Sequence, residues 1–273
     1  MDTVPARAPA STTRLGLIGW RALIAVLALS ACDDKPPAKP APAKTVQKSA
    51  PAQPPVVAAP AAVAASSPLA QTINAATFDP AATDPEAHRN LLVRVQTLLD
   101  RAHFSPGVID GRDGTNLTLA IKAFQTSRSQ TPDGQINQQL LDTLIAGDGG
   151  QVLVDYQITP QDAAGPFSPV IPKDDYEAMA KLPALGYGTP LEALAKKFHM
   201  DEPLLAALNP GVDFSKAGTT IIVAALGAEG LDGKVTRIEI DNAKGTLKAY
   251  ADGDKLLAVY PATVGSTERP APS

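Results

Sequence analysis

Residues 235–273 read VTRIEIDNAKGTLKAYADGDKLLAVYPATVGSTERPAPS, and the architecture turns on how this stretch is taken. Thr236, Ile238 and Ile240 alternate with Arg237, Glu239 and Asp241, the period-two pattern of a strand. Asn242 to Gly245 is a turn signal, and Leu247 to Tyr250 forms a second strand. Asp252-Gly253-Asp254 is the next turn, and Leu256 to Val264 a third strand. The result is an antiparallel meander that runs into a loop at Pro270–Ser273. A few strands without a partner layer cannot bury a core. Either this sheet packs on the preceding module, or the domain continues beyond Ser273.

Moving upstream, Leu185 to Ala224 reads as helix, helix, strand. Thr189 is an N-cap with Pro190 at the first helical position, where its missing N–H costs nothing. Leu191, Leu194, Ala195 and Phe198 form the apolar face. Asp201 caps a second helix bearing Leu204, Leu205 and Leu208. Asn209-Pro210-Gly211 ends it, and Gly218 turns the chain into a strand over 219–223. Before this lie a weakly alternating segment at Val152–Thr159, a connector over 160–172 and a brief helix near Glu177–Leu182. Glu86 to Ala146 carries three helical patterns: Leu91, Val95, Leu98 and Ala102; then Leu117, Ala120, Ile121 and Phe124; then Leu140, Leu141 and Leu144. Asp110-Gly111, Asp113-Gly114 and Pro132-Asp133-Gly134 are the turns between them. There, glycine takes positive φ and aspartate accepts backbone N–H bonds.

Three resemblances follow from these strings. VQTLL at 95–99, IDG at 109–111, AFQ at 123–125 and DG at 133–134 together resemble the peptidoglycan-binding domain of wall hydrolases and transpeptidases. The resemblance implies contacts with peptidoglycan through Asp110, Gly111, Phe124, Gln125, Asp133 and Gly134. Read as residues, Phe124 is core before it is ligand, and both aspartates are turn formers before they are sugar contacts. GTPLEALAKKF, LLAALNPG and AGTTIIV resemble a LysM module. That resemblance implies a glycan groove along Gly188, Thr189, Asn209, Pro210 and Gly218, the alternative being a packing adaptor for the sheet. His199, after the first helix, is a cap residue. The stretch 235–273 resembles the opening of an L,D-transpeptidase catalytic domain, on Tyr250, Gly253, Tyr260-Pro261 and Gly265. That family's His and S-x-G-C block is not in these residues.

The length corresponds to one or two domains, and 4% aromatics beside 26 prolines in 273 residues imply small modules joined by linkers. A net charge of −4 gives no basis for nucleic-acid binding. Arg7, Arg14 and Arg21, then apolar Ala22–Leu29, then Leu29-Ser-Ala-Cys32 have the layout of a secretory leader. The L-S-A-C ending resembles a bacterial lipobox and implies a lipid on Cys32. A membrane span is the alternative, against which Arg21 breaks the apolar run. Cys32 is the single cysteine, so a disulfide within the chain is excluded. A lipidated Cys32 cannot act as a thiol nucleophile.

The expected organisation is multi-domain α+β. A lipoprotein signal peptide spans 1–31 and a disordered Pro/Ala-rich tether 32–86. A three-helix peptidoglycan-binding domain covers 87–146, a connector 151–172 and a small LysM-like βααβ module 173–226. The first strands of an incomplete all-β catalytic domain fill 234–273. The expected partners are peptidoglycan glycan and stem peptides, and the membrane through Cys32, on the periplasmic side of the envelope. No catalytic residue, metal site or cofactor is assigned. His88, His103 and His199 show no metal-ligand spacing, and Asp174, Asp175 and Glu177 read as a solvated helix start. The chain as it stands is expected to lack transpeptidase activity. A non-catalytic tether between membrane and wall is the alternative function.

Overall fold

The computed structural model describes residues 63–64, 67–148, 150–168, 175–182 and 185–265. Among them are eight α-helices and two three-stranded sheets. Cys32 and Asp174 lie outside the described residues, as do the leader and the first part of the tether.

The helical domain is built from α2 (Pro85–Arg101), α3 (Thr115–Ser127) and α4 (Gln138–Asp148). Asp84 caps α2 through Glu86 N and Ala87 N, with Pro85 in the first turn. Asn137 accepts from Leu140 N at the start of α4. Both α2 and α3 end in a left-handed residue, His103 (φ 64°) and Ser129 (φ 56°). The N–H groups that follow, Phe104 and Gln130, return to Leu99 O and Gln125 O. This satisfies the last-turn carbonyls. The apolar faces of the three helices meet at Leu92, Leu99, Ile121, Phe124, Leu140 and Leu141, all buried.

The tether reading requires correction at its far end. Helix α1 (Pro68–Asn74) lies within it, with Ala70 and Ile73 fully buried against the helical core. Strand β1 (Val63–Ala64) adds to the edge of a sheet. Ala and Pro content masked a short amphipathic turn whose few apolar residues become useful only when a neighbouring surface is present. Asn74 fixes the end of α1: its Oδ1 accepts from Val152 N and Leu153 N, and its Nδ2 donates to Leu153 O.

The connector boundary moves as well. β2 (Leu153–Gln157) lies in the stretch 151–172 and pairs antiparallel with β3 (Thr220–Ala224), in the order β1-β2-β3. The sheet strand that pairs with β3 therefore lies before residue 173, and four helices rather than two separate the pair. Between β2 and β3 come α5 (Pro160–Ala164), α6 (Tyr176–Ala180), α7 (Pro190–Lys197) and α8 (Glu202–Leu208). His199 sits just past α7 at φ 56°, and Met200 N bonds back to Ala195 O; it is the cap residue its position implied.

The last meander consists of β4 (Arg237–Asp241), β5 (Thr246–Tyr250) and β6 (Leu256–Pro261), in that order across the sheet. It packs on the preceding helices through β6, where Val259 is buried. Ile238 and Ile240 on β4 stay 60% and 51% exposed, so the alternating pattern formed a strand whose apolar residues find no cover among the described residues.

One loop holds these parts together. Between α2 and α3, Ser105 N donates to Val259 O while Val259 N donates to His103 O. A few residues on, Ile109 N donates to His199 O and Asp201 N to Ile109 O. Segment 103–109 thus forms short parallel bridges with β6 at one end and with the α7–α8 corner at the other. Phe104 anchors it edge-on to Phe124, with centroids 5.5 Å apart.

Candidate functional site

The residues singled out in the helical domain form two copies of one device. Gln96 on α2 is buried. Its Oε1 accepts from Asp110 N (3.0 Å) and Gly111 N (2.8 Å), and its Nε2 donates to Asp110 Oδ1 and Arg112 O. Gln125 on α3 is equally buried. Its Oε1 accepts from Gly134 N (2.9 Å) and its Nε2 donates to Asp133 Oδ1 (2.7 Å). In each copy the aspartate also accepts the N–H two residues on, from Arg112 or Gln135. Each glycine has positive φ, 68° and 74°, and sits against its own helix. A Cβ on Gly111 would fall 2.9 Å from Val93 Cγ2, and one on Gly134 would fall 2.9 Å from Thr118 Cγ2.

Phe124 and Gln125 are 1% and 2% exposed, so their side chains serve the interior, whereas Asp133 is exposed. Asp110, Gly111, Asp133 and Gly134 serve as turns locked to a helix by a glutamine amide. The two N–H groups that lower Asp133 below the ordinary carboxylate range, from Gln135 and then Gln125, are internal partners. Gln96, which pattern reading did not select, is the equal of Gln125. A glutamine in mid-helix followed by Asp-Gly in both halves was the available signal.

The βααβ residues behave alike. Asn209 is buried; its Nδ2 donates to Leu205 O and Ile222 O, and its Oδ1 accepts from Ile222 N. It clamps α8 to β3 and both amide hydrogens are used in doing so. Thr189 accepts from Glu192 N while Glu192 Oε2 accepts from Gly188 N, which starts α7. Gly218, at φ 85°, leads into β3 with its N–H on Ile158 O. Pro210 is exposed at the end of α8. These positions are spread along the module as caps and turns.

A polar knot ties α5 to α7. Lys197 Nζ donates to Tyr156 Oη (2.7 Å) and Asp162 Oδ1 (2.8 Å), and the Tyr156 hydroxyl donates to Asp162 Oδ2. Burial alone would raise the Asp162 pKa, but bonds from Lys197, Tyr156 and Thr159 outweigh it and hold it low. Burial also lowers the Lys197 pKa, and its bonds to Asp162 and Tyr156 reverse this. Burial and the Asp162 bond raise Tyr156. All three effects keep Lys⁺, Asp⁻ and neutral Tyr, a combination with no poised base.

The three histidines are each paired. His88 Nε2 lies 2.8 Å from Asp113 Oδ2, and His103 Nδ1 lies 3.4 Å from Tyr260 Oη. His199 Nδ1 lies 2.8 Å from Asp100 Oδ2, which raises its pKa against a smaller effect of burial. Among the described residues no group of three or more His, Cys, Asp or Glu is placed to hold a metal ion. Within those residues no helix is long and apolar enough to cross a membrane.

A groove of about 930 Å³ lies between α2 and the chain that enters it. Thr72, Ala76, Phe78 and Ala82 form one wall, Ala87, Asn90 and Leu91 of α2 the floor, and Asp113 and Ile136 the far rim. Arg94 Nη1 donates to Ala76 O at 2.6 Å and holds the entering chain against α2. None of the residues chosen from the sequence lines it.

Residues 88–144 match the family model of a peptidoglycan binding domain, a span that holds α3, most of α2 and α4, and both glutamine clamps. No curated protein shows significant similarity to the chain. The matched domain supports binding to the cell wall and association with the cell envelope.

Proposed function

We propose that the chain is an envelope protein that grips peptidoglycan through its helical domain and is held to the membrane by a lipid on Cys32. The observation that carries the wall-binding half is the domain match at 88–144, together with the two glutamine clamps inside that span. Sedimentation of the Cys32→Ser chain with purified sacculi tests it. Recovery above that of an unrelated helical protein is expected, and recovery equal to it overturns the reading. Lipidation is read from the L-S-A-C sequence at 29–32; mature protein without the added lipid mass would remove it.

The finer reading takes the helical domain and the LysM-like βααβ module as a platform for the meander, whose sequence resembles the opening of an L,D-transpeptidase. The reaction served would be acyl transfer between stem peptides, which needs an activated thiol, a base and oxyanion donors. Since Cys32 is the sole cysteine and the lipobox claims it, these 273 residues bind without catalysing. Incubation with disaccharide-tetrapeptide should give neither crosslinked dimer nor released D-Ala. Either product above a heat-inactivated control would show that another nucleophile is competent.

A further inference from the structure

We infer that the groove between α2 and the 72–82 segment is a binding site for a neutral acetamido-sugar strand, so that the domain holds the glycan of peptidoglycan rather than its stem peptide. This rests on the peptidoglycan reading above and assigns its ligand face.

The first observation is Asn90. It is 7% exposed and lies on the groove floor, yet its side-chain amide has no hydrogen-bond partner among the described residues. The molecule's other inward-facing amides, Asn74, Gln96, Gln125 and Asn209, each make two or more internal bonds. The fully buried side-chain atoms without a partner among the described residues are Arg94 Nε and Thr246 Oγ1; the Asn90 amide is not one of them, so it keeps access to solvent and can bond a ligand. An amide offers a donor and an acceptor side by side, which matches the C=O and N–H of an acetamido group.

The second observation is the charge of the walls. Asp79, Asp84, Glu86 and Asp113 line the groove, and His88 is the one basic side chain among its lining residues, already paired with Asp113. Carboxylates accept hydrogen bonds from hydroxyl groups and repel carboxylates and phosphates. A sugar strand presents many hydroxyls and no charge, whereas a stem peptide carries several carboxylates. Apolar walls from Ala76, Phe78, Leu91 and Ile136 suit the C–H faces of pyranose rings. The volume of about 930 Å³ is within the range of sites that take a ligand larger than a single sugar.

The 72–82 wall lies outside the matched span of 88–144, so the groove is a feature of this chain and not of the three helices alone. It exists because α1 docks through Ala70 and Ile73 and because Arg94 holds Ala76.

The test is calorimetric titration of the Cys32→Ser chain with the N-acetylglucosamine tetramer and, separately, with the free stem tetrapeptide. Saturable binding of the tetramer is expected, with affinity for the tetrapeptide at least tenfold weaker. Ala87→Trp places an indole in the groove from an exposed helix position and should abolish tetramer binding. Asn90→Ala should weaken it tenfold or more, with circular dichroism showing whether the fold is kept. Unchanged binding by Ala87→Trp would move the site elsewhere and overturn the inference, as would a preference for the tetrapeptide. Sacculus binding without tetramer binding also overturns it while leaving the wall-binding reading intact. Loss of sacculus binding altogether would remove that reading first.

Discussion

The helical domain and the β4–β6 meander are neighbours that share a seam, yet they are held in opposite ways. In the helical domain, buried amides close the turns: Gln96 and Gln125 each reach a following Asp-Gly and satisfy its N–H groups. In the meander the turns are solvated, β4 is exposed along nearly all its length, and β6 makes the contact with the helical domain, at Val259 and Tyr260. Sequence periodicity was equally clear in both. A regular pattern specifies an element, whereas its contribution to stability depends on what covers the element and what satisfies its polar groups.

The sharpest way to break this contrast is Gln96→Leu. It leaves the N–H groups of Asp110 and Gly111 without their acceptor, at roughly 4 kcal/mol in total from two unsatisfied donors. Urea unfolding followed by helical circular dichroism should show a large drop in midpoint; a loss under 1 kcal/mol would show that the clamp is ornamental. Next comes a matched pair of glycines. Gly111→Ala combines positive φ with a Cβ 2.9 Å from buried Val93, whereas Gly253 has φ 71° in the meander and nothing within 4 Å. We expect about 3 kcal/mol for the first, from strain plus overpacking, and about 1 kcal/mol for the second, from strain alone. Equal losses would mean that contact with α2 is irrelevant.

The third comparison lies within the meander. Val259→Ala removes a buried side chain at the seam and should cost about 1–2 kcal/mol, with faster amide exchange at Ser105. Ile238→Thr, at a 60% exposed position, should change stability by no more than about 0.5 kcal/mol. A larger loss would reveal a cover for β4.

The smallest effect expected is a pH dependence. Asp100 raises the pKa of His199, so the charged pair contributes fully below the ordinary histidine value near ~6.5 and fades as pH rises through the raised folded value. Since His199 is half exposed and Asp100 is 10% exposed, screening keeps the contribution to about 1 kcal/mol or less. Asp100→Asn should therefore lower stability at pH 5.5 more than at pH 8.5, measured in paired urea titrations. Identical losses at both values would leave the ion pair no role.

Local chemistry written into the sequence determined the helices at 85–101, 115–127 and 138–148, the caps at Thr189 and His199, and the strand alternation of the meander. Each depends on residues within a turn or two of one another. Tertiary structure decided the rest. Helix α1 is visible only because Ala70 and Ile73 meet a core contributed by residues far along the chain, and β2 becomes a sheet strand only by pairing with β3 across more than sixty positions. The chosen site residues Phe124, Gln125 and Asn209 turned inward because an amide or a ring near a turn has the same signature whether it faces a ligand or the backbone. Asn90, one helical turn before Arg94, carries no motif at all; it lines the groove only because the 72–82 segment runs alongside α2.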